Sequence, residues 1–194
     1  MNFDTRYLYI ILGLIVIMNL FSGSFDILSV LLTLPGVLIA ITFHEYAHAL
    51  AAYKLGDDTP KIQGRLSLNP LTHLDPIAVV LLVFTHIGWG KPVEINPNNF
   101  DRKISARAGE AIVAAAGPIM NILLAFILAI IFYALQVFAT GFAIGTQTGM
   151  IIMTMLQYAV IVKVGLGVFN LIPLPPLDGS KVLMGFLPYN AKRW

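Results

Sequence analysis

His44 and His48 stand four residues apart with Glu45 directly after the first, so His44-Glu45-Tyr46-Ala47-His48 reads H-E-x-x-H. On a helix, positions i and i+4 share one face a single turn apart, which lets two imidazoles reach one zinc ion. Glu45, beside that face, is placed to take a proton from a water that the metal activates. The motif lies inside an apolar run from Leu31 to Tyr53. Ionisable side chains at bilayer depth cost ~2.5 kcal/mol or more each, so three of them within five residues point to function rather than to histidines buried for structure. The chain has no cysteine, which excludes thiolate ligands and disulfides within it and leaves nitrogen and oxygen as the metal's donors.

A second signal lies far downstream, in Asn170-Leu171-Ile172-Pro173-Leu174-Pro175-Pro176-Leu177-Asp178-Gly179. Three prolines in four positions cannot continue a regular helix, and a break at membrane depth bares carbonyls that need a buried or wet setting. Pro-Pro-x-Asp-Gly alone is an ordinary turn. Paired with H-E-x-x-H, Asp178 has the chemistry to complete a site of two histidines, one carboxylate and an open water position. Asp75 is a rival carboxylate, equally suited to cap the helix that follows it. His73, two residues earlier, is placed to support the site or touch substrate. Asn121 and Asn170 are amides at membrane depth, candidates to steady an oxyanion or hold a substrate backbone, or simply to bond one helix to another. His86, on a short apolar run, reads as a structural residue.

These residues need membrane elements to position them. Hydrophobic residues make up 58% of the 194 and charged ones 11%, against roughly 45–50% and about 25% in soluble domains. A net charge of +2 with scattered lysines and arginines gives no footprint for nucleic acid. The expected fold is an α-helical integral membrane protein forming one polytopic domain over 1–194. About four transmembrane helices are expected, at 7–21, 27–55, 109–138 and 149–171. The first follows a weak basic flank and no small-residue cleavage site comes after it, so a retained span is expected there rather than a signal peptide. Pro35-Gly36 is a candidate kink. The alternation at 61–68 and the piece around 92–95 predict short membrane-associated β-strands. Small residues at helical spacing, Gly36, Ala40, Ala47 and Ala51, and the cluster Ala111, Ala114, Ala115 and Gly117, predict where helices touch.

Zinc ligands must meet at one depth, and cytoplasmic loops carry excess lysine and arginine. If 76–89 crossed the membrane, Asp178 would end roughly a bilayer core, ~30 Å, from His44. A re-entrant segment at 76–89 is therefore expected, with the basic loop Lys91–Arg107 and the active site towards the cytoplasm.

Taken together, the motifs resemble those of the site-2 protease family of intramembrane zinc metalloproteases, in minimal form. The matching pieces are H-E-x-x-H; Gly64 to Pro70 with His73 and Asp75-Pro76; Gly88 to Val93; Ala116-Gly117-Pro118 with Asn121; and Asn170 to Gly179. The resemblance implies one Zn2+ held by His44, His48 and Asp178, with Glu45 as catalytic base and Asn170 as the asparagine opening the N-x-x-P-x-x-x-x-D-G pattern. It implies an endopeptidase that cuts transmembrane segments of membrane-protein substrates among membrane lipid, in a prokaryotic cell membrane. The alternative is a non-catalytic zinc-binding membrane protein or transporter, but transporters usually show paired halves and none is visible. Neither substrate identity nor oligomeric state is written in these residues.

Overall fold

A computed structural model describes residues 13–14, 17–18, 26–75, 78 and 90–187. Apart from a few isolated positions, the expected span 7–21 and the expected re-entrant segment 76–89 lie outside the described residues, as does His86. Helix α1 covers Ile27–Lys54, α2 Thr59–Ile62, α3 Ala106–Phe138, α4 Thr140–Ala143, α5 Gln147–Asn170 and α6 Asp178–Phe186. Among these, α1, α3 and α5 are long and apolar enough to cross a membrane, and their bounds fall within three residues of the expected spans.

Each long helix begins at a residue that can satisfy free backbone amides. Asp26 accepts from Leu28 N at 3.0 Å, Ser105 from Ala108 N at 3.2 Å, and Thr146 from Gly149 N at 2.9 Å. Helix α1 continues through Pro35, with Lys54 in its last turn and Gly56 just beyond at φ +102°, a left-handed conformation that glycine adopts without strain. The proline-rich stretch does break the chain. Residues 171–177 form turns, and α6 then opens on Asp178.

The three long helices pack against one another, and α6 packs on α3. In lipid, tails are as apolar as leucine, so close van der Waals contact rather than water release holds helices together. Glycines make that contact here. A Cβ on Gly36 would lie 2.8 Å from Ala159 Cα of α5, and one on Gly167 of α5 would lie 3.2 Å from Pro118 O of α3. Ala40, Ala47 and Ala114 are buried at the same crossings, whereas large residues such as Phe126, Ile130 and Tyr133 face outward from α3.

Among the described residues no segment forms a strand; the β-type pairing present is a single antiparallel bridge between Leu74 and Gly90. The expected strand at 61–68 is corrected to a helical turn, Thr59–Ile62, followed by bends. Pro60 sets a helical φ in the first turn, Thr59 N is capped by Asp57 at 3.0 Å, and Gly64 turns the chain at φ +70°. Alternation alone does not supply a ladder partner, and 92–95 has no regular one either.

Candidate metal centre

The helical spacing of His44 and His48 does put both rings on the face of α1 that meets α3. Their centroids are 4.6 Å apart and the rings stand nearly perpendicular, at 86°. Asp178, first residue of α6, reaches them from the other side of the chain break. A carboxylate at a helix N-terminus also faces the positive end of the helix dipole. Its Oδ2 lies 3.1 Å from His44 Nε2 and 3.2 Å from His48 Nε2, while the two Nε2 atoms are 3.0 Å apart. Three ligands bonded to zinc at ~2.0–2.1 Å with tetrahedral angles stand about 3.3–3.4 Å from one another, so this triangle needs only slight expansion to hold the ion. The three residues are the group that could hold a metal among the described residues.

Helix α3 braces the histidines from behind. His48 Nδ1 donates to Val113 O at 2.7 Å, and His44 Nδ1 meets Asn121 Nδ2 at 3.1 Å. Such close approach requires glycine at 117, where a Cβ would sit 2.5 Å from His48 Nε2 and 2.8 Å from His44 Cε1. A methyl group there would press on both imidazole rings. The backbone after the undescribed segment closes the front. Val93 N donates to Glu45 Oε2 at 3.2 Å, and a Cβ on Gly90 would lie 2.9 Å from Glu45 Oε1.

A cavity of about 410 Å³ opens on this cluster. His44, Glu45, His48 and Asp178 all line it, together with Val93, Asn170 and Lys181. A second cavity of about 360 Å³ shares Ile95, Glu110 and Lys181 with the first and leads towards Arg107 and Pro175.

The other expected site residues separate clearly. Asn170 lines the cavity, and its Nδ2 donates to Leu166 O at 3.0 Å. Asn121 is fully buried behind His44 and is not part of the cavity wall. His73 is also fully buried, with Nε2 donating to Ser67 O at 2.7 Å inside the 67–73 turn; it too is absent from the cavity wall. Asp75 accepts from Ala78 N at 3.1 Å and is not in the ligand group. Two features escape the sequence argument although one had a signal. Lys163 is an ionisable residue in the apolar α5, legible by the same membrane rule that singles out the histidines; it is fully buried, its Nζ lies 5.9 Å from the Phe43 ring centroid, and it has no hydrogen-bond partner among the described residues. The contact of Val93 N with Glu45 comes from backbone, which no side-chain pattern announces.

Comparison with known proteins agrees with this geometry. The model of Peptidase family M50 matches residues 32–193. The chain belongs to Peptidase family M50. This is the site-2 protease family that the motifs resemble, and the donor set of two imidazoles and a carboxylate suits its single zinc ion. Three relatives share the name "Putative zinc metalloprotease". YwhC of Bacillus subtilis is 37% identical over 164 residues, covering 78% of this chain and 67% of the relative. Rip2 of Mycolicibacterium smegmatis is 31% identical over 174 residues, covering 84% of this chain and 60% of the relative. Rip2 of Mycobacterium tuberculosis is 26% identical, with the same shares covered. The chain thus spans about two thirds of YwhC and three fifths of the Rip2 proteins. No solved structure gives a significant match.

Proposed function

We propose that this protein is a zinc-dependent intramembrane endopeptidase in which His44, His48 and Asp178 hold one zinc ion and Glu45 is the catalytic base. The observation that carries the reading is the convergence of three ligand atoms, from residues up to 134 positions apart in the chain, to 3.0–3.2 Å on the wall of a cavity that Glu45 also lines. Held by His44, His48 and Asp178, zinc would supply Lewis-acid chemistry, lowering the pKa of water from 15.7 towards ~7 and polarising a carbonyl. Glu45 accepts the proton of the attacking water and returns it to the leaving amine. Asn170, on the cavity wall, is placed to hold the substrate backbone beside the reacting carbonyl. A helical substrate hides its carbonyls in hydrogen bonds and must unwind locally before attack. The backbone at Val93 borders the cavity next to Glu45, and the unwound strand lies along Pro92 to Ile95. Proline at Val93 should then slow cleavage.

Residues 1–194 act as one polytopic domain, in a prokaryotic cell membrane, on transmembrane protein substrates. The active site faces the cytoplasmic side. His44 lies ten residues, or ~15 Å, from the basic end of α1 at Lys54, and the expected cytoplasmic loop Lys91–Arg107 carries four basic residues. An impermeant thiol reagent added outside intact cells should leave a cysteine at Asn98 unlabelled; labelling there would overturn this orientation. The function itself is tested by incubating purified protein with single-span substrates, with and without a zinc chelator. Cleavage that survives chelation would overturn the zinc reading.

A further inference from the structure

Asn121 is one of the largest fully buried side chains in the protein, and its amide meets His44 on the ring edge opposite Asp178. We infer that Asn121 is a positioning residue, which sets the tautomer of His44 by accepting, through Oδ1, the Nδ1–H that this histidine carries when its Nε2 lone pair is given to a metal. The inference rests on the zinc reading above.

A neutral imidazole has one proton for two nitrogens, so whatever faces Nδ1 decides what Nε2 can offer. His48 shows what the site requires. Its Nδ1 faces the carbonyl of Val113 at 2.7 Å, and a carbonyl can only accept, so the proton sits on Nδ1 and Nε2 keeps its lone pair. His44 presents its Nε2 3.0 Å from that same atom, in the same ligand triangle. For both to serve one cation, His44 needs the same tautomer as His48.

With Asn121 Nδ2 3.1 Å from His44 Nδ1, Nδ1 would have to accept and the proton would have to sit on Nε2, 3.1 Å from Asp178 Oδ2. In that arrangement Nε2 would have no lone pair for a metal, and the buried Oδ1 of Asn121 has no hydrogen-bond partner among the described residues. A half-turn of the amide brings Oδ1 to Nδ1, places the proton between them and frees Nε2. One helix, α3, then sets both histidines, His48 through a backbone carbonyl and His44 through a side chain. Asn121 is not among the residues lining the cavity that Asn170 lines.

Two variants of the full chain separate acceptor, donor and packing roles. Asn121→Asp keeps an acceptor and removes the donor; Asn121→Leu keeps the volume and removes both. Zinc affinity is measured by chelator competition on the purified protein, alongside the visible absorption of Co2+-loaded samples. Asn121→Leu should weaken zinc binding about 10–100-fold and change the Co2+ spectrum. Asn121→Asp should bind zinc at least as tightly as the unaltered chain and keep its spectrum, which a helix-packing amide would not do when replaced by a buried carboxylate. Weak binding by Asn121→Asp, or unaltered binding by Asn121→Leu, would overturn the inference while leaving the zinc site standing. An unaltered chain that takes up no zinc would instead overturn the metalloprotease reading, and this inference with it.

Discussion

Two buried or half-buried aspartates in this protein look alike in the sequence and behave as opposites in the structure. Asp57, fully buried just past the end of α1, has both oxygens met by donors: Thr59 N, Thr59 Oγ1 and Asn99 Nδ2 on Oδ1, and Asn96 N on Oδ2. It ties the 57–59 turn to the 96–99 turn. Asp178 Oδ2 faces two imidazole nitrogens, both 3.1–3.2 Å away, and those nitrogens face each other. A carboxylate whose lone pairs are filled by backbone and amide donors is finished as a structural element. One that shares a triangle with other lone-pair donors has an arrangement completed by a cation.

Asp178→Ala should be the most damaging test of that contrast, removing zinc and cleavage together; retained zinc, measured as metal content after purification, would show that Asp178 is not a ligand. Glu45→Gln sharpens it from the other side. Proton transfer by a positioned base contributes typically 10²–10⁴-fold, so cleavage should fall by about that factor while zinc content is unchanged. Substantial proteolysis by this variant would remove Glu45 from its role. Gly117→Ala tests whether the triangle is the metal site without touching a ligand. Its new methyl would stand 2.5 Å from His48 Nε2, so zinc affinity should drop while the helical circular dichroism persists.

Asp57→Ala should leave zinc in place and lower stability by ~1–3 kcal/mol, the cost of stranding buried donors, read from thermal unfolding. Burial pushes the Asp57 carboxyl up, but its bonds from Thr59, Asn96 and Asn99 outweigh this and hold it below the usual carboxylate range. A lowered folded pKa stabilises fully above the unfolded value of ~3.9 and loses that contribution as pH falls through the folded one. Melting temperature should therefore decline in that acid window, and Asp57→Asn should flatten the decline. The smallest effect is expected at Asp75→Ala, which removes the bond from Ala78 N, worth ~1 kcal/mol, and leaves zinc content unaltered. Loss of zinc there would reverse the assignment of the third ligand.

Much of the site was legible before any coordinates. A 3.6-residue period put His44 and His48 on one face, and the three prolines before Asp178 announced the break that presents it. Gly36 and Gly117 marked two of the closest helix contacts. The strand at 61–68 was misread because alternation records only a local period, while Pro60 and the Asp57 cap turned the same residues into a helical turn. The roles of Asn121 and Asn170 could not be told apart either, since both are single amides in apolar helices. Their surroundings separate them: one stands behind an imidazole, the other on a cavity wall.

Sequence by itself determined the ligand types, the spacing of two of them, and the membrane setting, because these depend on side-chain chemistry and on periods within one helix. Only tertiary structure decided that Asp178 rather than Asp75 joins the histidines, that Gly117 leaves room for the triangle, and that α3 supplies what faces each Nδ1. Those facts are distances between segments far apart in the chain, set by how α1, α3 and α6 pack, and no local pattern encodes a distance of that kind.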